Sequence, residues 1–530
     1  MKRSTGRKKK SRKTNNALPS GGAFVCTVCR QKGRSCEMEY LVNSREMKYC
    51  DTNTTEHFKI PSMVLMERAA LGVVQIIMQE AAPFCRVLVV CGCGNNGADG
   101  MAIARMLFLA GKEAVVYLAG DKEKLSPLAR EQYAILEAYH IPFAAAVEDS
   151  YDVVVDAVFG IGLSRQLDES TAALINRLNA IESYKVAVDI PSGVSADNGM
   201  IMGAAYKADI TVTFAYKKLG MVLYPGASYC GRIHVCDIGM EEHSWLDKKP
   251  CVYEMVREDL SALKSRTEDA NKGTFGKVLI IAGSLNMAGA AILSAKAAYA
   301  AGCGLVQVFT PEENRIILQT AVPEAVLKTY SAKKPELALL NESLAWADVI
   351  VLGPGLGRSG GAHEIVKTAL KNAAVPMVAD ADALNLMAED INCLLKPHTE
   401  LIITPHPGEM ARLNGNAVSY IKENLVQTAE DFARTYQVIT VLKDARTVTA
   451  VPYGKTYINT AGNNGMATAG SGDVLSGILG SLIAQGLPPE LAAPLGVLIH
   501  ASAGDEQEKV TGKHALTAGG IIEGIGRVLE

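Results

Sequence analysis

A chain of 530 residues is too long for one hydrophobic core, so two or more domains are expected. Apolar residues make up 48% and charged residues 21%, an ordinary balance for a globular protein. The net charge of −3 conceals an asymmetry: residues 1–37 hold eleven Lys or Arg against one acid, Glu37, which leaves the remainder at −13. That acidic body excludes a general nucleic-acid surface and leaves only the tail to touch nucleic acid or an anionic surface.

The basic N-terminal stretch has no apolar segment behind it and does not read as a secretory signal. Its Cys26, Cys29 and Cys36 form a C-x-x-C plus one. A zinc site would need a fourth ligand, the nearest being Cys50 or His57. The plainer reading is an unstructured basic extension, with the folded protein beginning at Met38. No apolar run reaches membrane-spanning length, the longest being cut by Lys296 or by polar residues, and no membrane partner is expected. Twelve Cys are unremarkable for this length, and Cys91 and Cys303 read as reduced core thiols. A cytoplasmic location is expected.

In chain order, Leu65, Met66, Ala69, Val73, Ile76 and Ile77 recur at helical spacing and predict a helix over 56–80. Short β-branched runs then alternate with helical stretches. Strands are predicted at 86–91, 114–118, 152–156, 185–190, 209–214 and 231–237, which argues for a parallel sheet covered on both faces. Residues 241–272 are charged and weakly patterned and read as a connection. A second series follows at 277–282, 305–309, 348–352, 376–379, 401–404, 438–442 and 447–451, without a fixed repeat. The fold class is therefore α/β, with two different three-layer αβα domains. The expected layout is an extension at 1–37, a first domain at 38–240, a linker at 241–254 and a second domain at 255–530.

In the first domain, Gly92, Gly94 and Gly97 give a G-x-G-x-x-G after a strand, and Asp121 lies near where a ribose-binding acid would fall. A lone motif of this kind is weak. The turn also carries Asn95, Asn96 and Asp99, polar groups suited to holding a cation or orienting a polar ring. Asp156 ends one strand before a glycine loop, and Asp189, Ser192 and Gly193 end the next. In a parallel sheet these ends converge on one crevice. Capping explains a single acid at a strand end, but three polar strand ends in one domain are harder to explain that way.

The segments Asn-Ser-Arg-Glu-Met (43–47), Met-Glu-Arg-Ala-Ala (66–70), Gly-Asn-Asn-Gly-Ala-Asp-Gly (94–100), Val-Asp-Ala-Val-Phe-Gly-Ile-Gly-Leu (155–163) and Val-Asp-Ile-Pro-Ser-Gly-Val (188–194) resemble the NAD(P)H-hydrate epimerase domain, with a Rossmann-like fold. The resemblance implies a potassium ion near Asn96, Asp156 and Ser192. It implies hydrate contacts from Asn95, Asn96, Gly97, Ala98 and Asp99, from Gly160, Ile161, Gly162, Leu163, Ser164, Arg165 and Gln166, and from Asp189. Ala98 departs from the family's usual Gly, and its methyl is tolerable unless the position needs positive φ. Inverting the hydroxyl-bearing carbon needs proton transfer by a carboxylate within hydrogen-bond reach, and Asp189 is the expected acid/base.

In the second half, Gly353-Pro-Gly-Leu-Gly357, Thr404-Pro-His-Pro-Gly-Glu-Met410, Lys443 to Thr447 and Ala469-Gly-Ser-Gly-Asp473 each follow a predicted strand or open a helix. The last can make an anion site from backbone N–H groups and the helix dipole, with Asp473 at its mouth to take a hydroxyl proton. These motifs, with Ala288 to Val306, resemble the ADP-dependent NAD(P)H-hydrate dehydratase branch of the ribokinase-like superfamily. The resemblance implies hydrate contacts from Ala290, Gly355, His406 and Asp473, and nucleotide contacts from Lys443, Asp444, Ala445, Arg446, Thr447 and Gly472. Asp444 stands where Gly is common. Catalytic Asp473, ADP with magnesium, phosphoryl transfer followed by elimination, and a homo-oligomer are expected. The rival readings are a vitamin or sugar kinase fused to a redox domain, and a non-catalytic binding module with its basic tail on RNA. The polar turn at Asn95–Asp99 and intact Asn96, Asp156, Asp189 and Ser192 favour catalysis.

Overall fold

The computed structural model describes residues 39–530 except 82, 264, 265, 267 and 396–398. The proposed extension and Cys26, Cys29 and Cys36 lie outside the described residues. Cys50, one candidate fourth ligand, is buried against Val42, Met47 and Trp245 in an apolar cluster.

The first half contributes strands β1 (Glu39–Val42), β2 (Arg86–Cys91), β3 (Glu113–Leu118), β4 (Val153–Ala157), β5 (Tyr184–Val188), β6 (Ile210–Phe214), β7 (Lys217–Lys218) and β8 (Arg232–Cys236). The second contributes β9 (Val252–Met255), β10 (Lys277–Ile281), β11 (Leu305–Pro311), β12 (Val326–Tyr330), β13 (Val349–Leu352), β14 (Met377–Ala379), β15 (Leu401–Ile403), β16 (Ile439–Leu442), β17 (Thr447–Ala450) and β18 (Thr456–Asn459). Six strands form a parallel sheet in the order β3-β2-β4-β5-β6-β8. Twelve form the other, in the order β12-β11-β10-β13-β14-β15-β16-β17-β18-β9-β1-β7. It is parallel as far as β16, and β17 is antiparallel to both of its neighbours.

Both sheets are covered on two faces, which is why their central strands read as continuous Val/Ile/Leu runs. Helices Ser62–Glu80 and Asn95–Leu109 pack on one face of the small sheet. Helices Ala288–Ala300, Ser471–Ala484, Pro489–Thr511 and Ala518–Leu529 cover one face of the large sheet. The other face lies under Leu337–Trp346, Gly360–Asn372 and Asp382–Glu389.

The structure corrects several expectations. The helix expected over 56–80 begins at Ser62, because Pro61 holds extended backbone at its N-cap. By length and composition this 19-residue helix could cross a membrane, contrary to the expectation that no such run exists. Its Leu65, Ala69, Val73 and Ile77 are instead core residues of the small sheet. The strand expected over 185–190 stops at Val188, because Asp189 takes φ of +67°. Residues 241–254 do not form a free linker: Trp245 is fully buried, and β9 is an inner strand of the large sheet. Finally, β1 and β7 leave the small sheet. β1 lies antiparallel to β9 and parallel to β7, so two strands from the first half extend the sheet of the second.

Candidate functional site

Two clusters of polar side chains lie at the C-terminal ends of parallel strands. The first sits where strand order reverses in the small sheet, between β2 and β4, the usual place for a ligand crevice. After β2, helix Asn95–Leu109 begins with Gly94 as its N-cap, so Asn95, Asn96, Gly97, Ala98 and Asp99 form its first turn rather than a loose loop. Gly97 is required there, since a Cβ would stand 1.8 Å from the Gly92 carbonyl oxygen. Ala98 is helical, not at positive φ, and its methyl is fully buried in the core, so the departure from Gly brings no backbone strain. Asn95 is exposed and accepts from Ser126 Oγ at 3.0 Å. Asn96 Nδ2 is buried without a partner.

Asp156 at the end of β4 is fully buried. Its Oδ1 accepts from Ser192 Oγ at 2.6 Å and from Val158 N at 3.2 Å, and its Oδ2 from Ser192 N at 2.7 Å. Burial pushes its pKa up to about 6 in spite of those bonds. No cationic side chain pairs with it among the described residues. The buried Asp156 carboxylate and the Ser192 hydroxyl oxygen beside it are oxygen donors of the kind a weakly hydrated monovalent cation takes.

Asp189 follows β5 in a backbone region that L-residues seldom take. Lys218 at the end of β7 is fully buried, and its ammonium reaches Asp189 Oδ1, Thr213 Oγ1 at 2.8 Å and the Phe214 carbonyl at 3.2 Å. All three ammonium donors are thereby satisfied. The loop after β4 closes over this pair. A Cβ on Gly160 would meet Asn96 Oδ1 and Asp189 Oδ2, both at 3.3 Å, so the loop brings the two residues to one place. Ile161 packs beside Trp245, while Gly162, Ser164, Arg165 and Gln166 form an exposed rim beside half-buried Leu163. Burial, then the carboxylates of Asp189 and Asp51, push the Asp99 pKa well up, which favours a neutral carboxylic acid able to donate.

The second cluster lies at the matching reversal in the large sheet, between β10 and β13. Gly355, at φ of +59°, sits so close to helix Ala288–Ala300 that a Cβ would lie 2.8 Å from the Ala290 methyl. At the end of β16, Lys443 Nζ bonds Asp380 Oδ1 at 2.7 Å, and Ser476 Oγ bonds Asp380 Oδ2 at 2.8 Å. Gly472 leaves room for this lysine, since a Cβ there would be 3.2 Å from Nζ. Burial alone would lower the Lys443 pKa, but Asp380, Glu409 and Asp473 outweigh it and hold the ammonium charged. His406 Nδ1 accepts from Gly408 N at 3.0 Å and Glu409 N at 3.3 Å, capping the helix that begins at Pro407. Its Nε2 is left at 3.6 Å from Glu409 Oε1.

Asp473 stands in the first turn of helix Ser471–Ala484. Burial, then the Asp380 charge, raise its pKa to about 6, with Lys443 opposing. Glu409 is raised to about 7, chiefly by burial. The neighbouring Ser471 Oγ lies 3.2 Å from His500 Nε2, and burial lowers the His500 pKa to about 4, so that imidazole is neutral at physiological pH. An Asp473 carboxylate acting as a base is lost on protonation. Turnover of the second site should therefore fall tenfold per pH unit below about 6, a limb measurable as kcat/KM against pH.

The structure thus gathers Ala290, Gly355, His406, Lys443, Gly472 and Asp473 in one place and Asn96, Asp99, Asp156, Gly160, Asp189 and Ser192 in another. Arg446 does not join the former. Its guanidinium donates to the Val222 carbonyl at 3.0 Å and the Thr460 carbonyl at 2.8 Å, and lies over the Tyr224 ring. Asp444 Oδ1 accepts from Ala445 N within the same turn, and Thr447 Oγ1 lies 3.4 Å from the Asp444 carbonyl. Four residues were missed by sequence reasoning: Lys218, Asp380, Glu409 and His500. The Asp-Ala-Asp run at 380–382 after a strand, and the acid at the third position beyond His406, were readable signals. Lys218 and His500 carried none.

Two crevices at strand-order reversals, each holding a lysine beside a buried carboxylate, define a two-site α/β enzyme. Residues 62–220 match the family model for the YjeF-related protein N-terminus, and residues 278–526 match that for NAD(P)H-hydrate dehydratase. The chain is 40% identical to the bifunctional NAD(P)H-hydrate repair enzyme Nnr of Moorella thermoacetica, over 93% of this chain and 97% of that one. It is 38% identical to the protein of the same name in Escherichia coli, over 88% and 89%. A solved ADP/ATP-dependent NAD(P)H-hydrate dehydratase from Bacillus subtilis, co-crystallised with ATP and Mg2+, is 27% identical over 52% of this chain and 96% of that one, with a TM-score of 0.46. The chain belongs to the family of bifunctional NAD(P)H-hydrate repair enzymes.

Proposed function

We propose that the first cluster interconverts the two epimers of NADH or NADPH hydrate and that the second dehydrates one of them, the S form, with ADP as phosphoryl donor. The observation that carries this reading is the pairing of the two centres on one chain. A stereospecific dehydratase strands one epimer, and an epimerase beside it removes that loss.

In the first site Asp189 takes the hydroxyl proton as the bond from that carbon to the ring nitrogen opens and returns it when the bond recloses on the other face, while Lys218 holds the carboxylate in place. Potassium, held by Asn96, Asp156 and Ser192, would supply positive charge that ties the loops after β2, β4 and β5 together. In the second site Asp473 accepts the proton of the hydrate hydroxyl, and the amides opening helix Ser471–Ala484 steady the transferring phosphoryl group. Lys443 faces the same point, where it offsets the charge of Asp380 and Asp473. Magnesium accompanies the nucleotide. The phosphorylated oxygen then leaves as phosphate, the adjacent ring carbon gives up a proton so that the ring double bond re-forms, and AMP is released. Lys443 and Gly472 remain the proposed nucleotide contacts, with the backbone of 444–447. The N-terminal extension, a cytoplasmic setting and self-association stay part of this reading.

The test is recovery of absorbance at 340 nm from an equal mixture of R and S NADH hydrates with ADP and magnesium. Full recovery in one fast phase is expected. Recovery of only half, followed by the slow spontaneous phase, would remove the epimerase assignment. No recovery with ADP or ATP would remove the dehydratase assignment.

A further inference from the structure

Lys218 is a first-half residue held by the second half. Its strand β7 pairs with β1 at Leu41–Lys217 and Val42–Lys218, and β1 is anchored on β9. The helical turn that follows, Leu219–Val222, faces both ways. Met221 packs with Ile190, Val194 and Ala196, beside Asp189, and Gly220 N bonds the Ala196 carbonyl at 2.8 Å. Leu219, Val222 and Leu223 instead join the core of the large sheet with Leu442, Val448 and Ile458. Residues 217–223 therefore form one short bridge, with the epimerase ammonium at one end.

Two polar ties from the large sheet grip that bridge. At its far end Arg446 donates Nε to the Val222 carbonyl at 3.0 Å and Nη1 to the Thr460 carbonyl at 2.8 Å, with its guanidinium carbon 5.1 Å from the Tyr224 ring centre. At its near end Lys217 bonds Glu254 at 2.6 Å and Glu39 at 3.0 Å. The two ties meet, because Thr460 Oγ1 donates to the other Glu254 oxygen at 2.7 Å. Val222 is the last residue of a four-residue turn, so its orphan carbonyl needs an outside donor, and Arg446 is that donor. A planar guanidinium that bonds two carbonyls while stacked on a ring fixes direction as well as distance.

We propose that Arg446, from the dehydratase half, is a positioning residue for the epimerisation reaction, and that it acts by holding residues 217–223 so that Lys218 meets Asp189. The proposal rests on the reading of Asp189 and Lys218 as the epimerase centre. It places the Arg446 side chain in service of the first site although its neighbour Lys443 serves the second. Displacing a positioned proton-transfer pair by a fraction of an ångström slows turnover far more than it weakens binding, since geometry enters mainly in the reaction step.

The experiment follows interconversion of pure R hydrate by chromatography in the absence of nucleotide, so that the dehydratase is idle, with the spontaneous rate subtracted. In Arg446→Met, epimerase kcat should fall about tenfold while KM for the hydrate stays within about twofold. Arg446→Lys, which can still donate to the Val222 carbonyl, should recover part of the loss, and Tyr224→Leu should show a smaller loss of the same kind. Should Arg446→Met prove too unstable to assay, Glu254→Gln interrogates the same bridge from its other end, and kcat is again expected to fall. Wild-type epimerisation in Arg446→Met together with a raised KM for ADP in the dehydratase assay would overturn the proposal, making the side chain a phosphate ligand. Asp189→Asn is run in parallel. If it abolishes epimerisation while Arg446→Met and Glu254→Gln leave it untouched, only the positioning role is lost. If Asp189→Asn epimerises at the wild-type rate, the centre itself is misassigned and both readings fall.

Discussion

Asp473→Ala should abolish dehydration, with kcat on pure S hydrate reduced about 10³-fold or more, since general-base groups typically contribute 10² to 10⁴. The site explains why this carboxylate is suited to the task. Burial and the Asp380 charge raise its pKa to about 6, making it a stronger base than an ordinary aspartate. At pH 7 it is still about nine-tenths ionised, because the surroundings stop one unit short. Lys443 stays paired with Asp380 in the variant, so the rest of the cluster has no reason to collapse. Stability moves the other way. A carboxyl whose folded pKa lies above its unfolded value favours folding only when protonated. That contribution is complete below about pH 4 and is lost as pH rises through about 6. At neutral pH the charged group costs stability, so its removal should raise the thermal midpoint while destroying activity. A lowered midpoint together with retained turnover would refute the assignment. Asp473→Asn, which keeps the shape and loses the base, should be equally inactive.

Lys218→Met should do the opposite to stability. The lysine is fully buried, and its removal takes from the Asp189 carboxylate its cationic partner, leaving it bonds from Thr213 Oγ1 and the Phe214 amide among the described residues. Breaking one side of a buried ion pair typically costs about 3–5 kcal/mol. Urea denaturation should show that loss, and epimerisation should fall by about 10² to 10⁴. The double variant Asp189→Asn/Lys218→Met removes both charges. It should regain much of the stability and none of the activity, which separates pairing from catalysis. A loss in the double variant equal to the sum of the two single-variant losses would show that the pair is not coupled.

Much of both sites was legible because strand ends and glycine turns are local signals. The Asn95–Asp99 turn, Asp156, Asp189, Ser192 and Asp473 all sit within a few residues of a recognisable β-branched run, and the parallel sheet does the rest by aligning the ends. What was illegible depends on partners distant in sequence. Lys218 follows Lys217 and stands two residues before Gly220, a context that suits a solvated lysine equally well. Only the return of residues 217–218 beside β1 buries it on Asp189. Strands β1, β7, β9 and β18 are two to four residues long, too short for alternation to register. Arg446 was placed among the nucleotide contacts with its neighbours because the family resemblance implies the whole run from Lys443 to Thr447. Lys443 to Arg446 make the turn between β16 and β17, and around that turn the Arg446 side chain has swung to the Val222 carbonyl in the other half of the protein.

The position of β1 also sets an order of events during synthesis. Its antiparallel partner β9 lies more than two hundred residues downstream, as does its route into the large sheet. At about 5–20 residues per second, β1 waits roughly 10–40 s before that partner is made. Through that interval the nascent first half presents an unpaired strand edge, Glu39–Val42, to other chains on the same polysome. Ribosome pausing between the codons of the two halves would lengthen the exposure, and a faster passage through residues 240–255 would shorten it. Passage through residues 240–255 thus sets how long that edge stays open, independent of the stability of the finished fold.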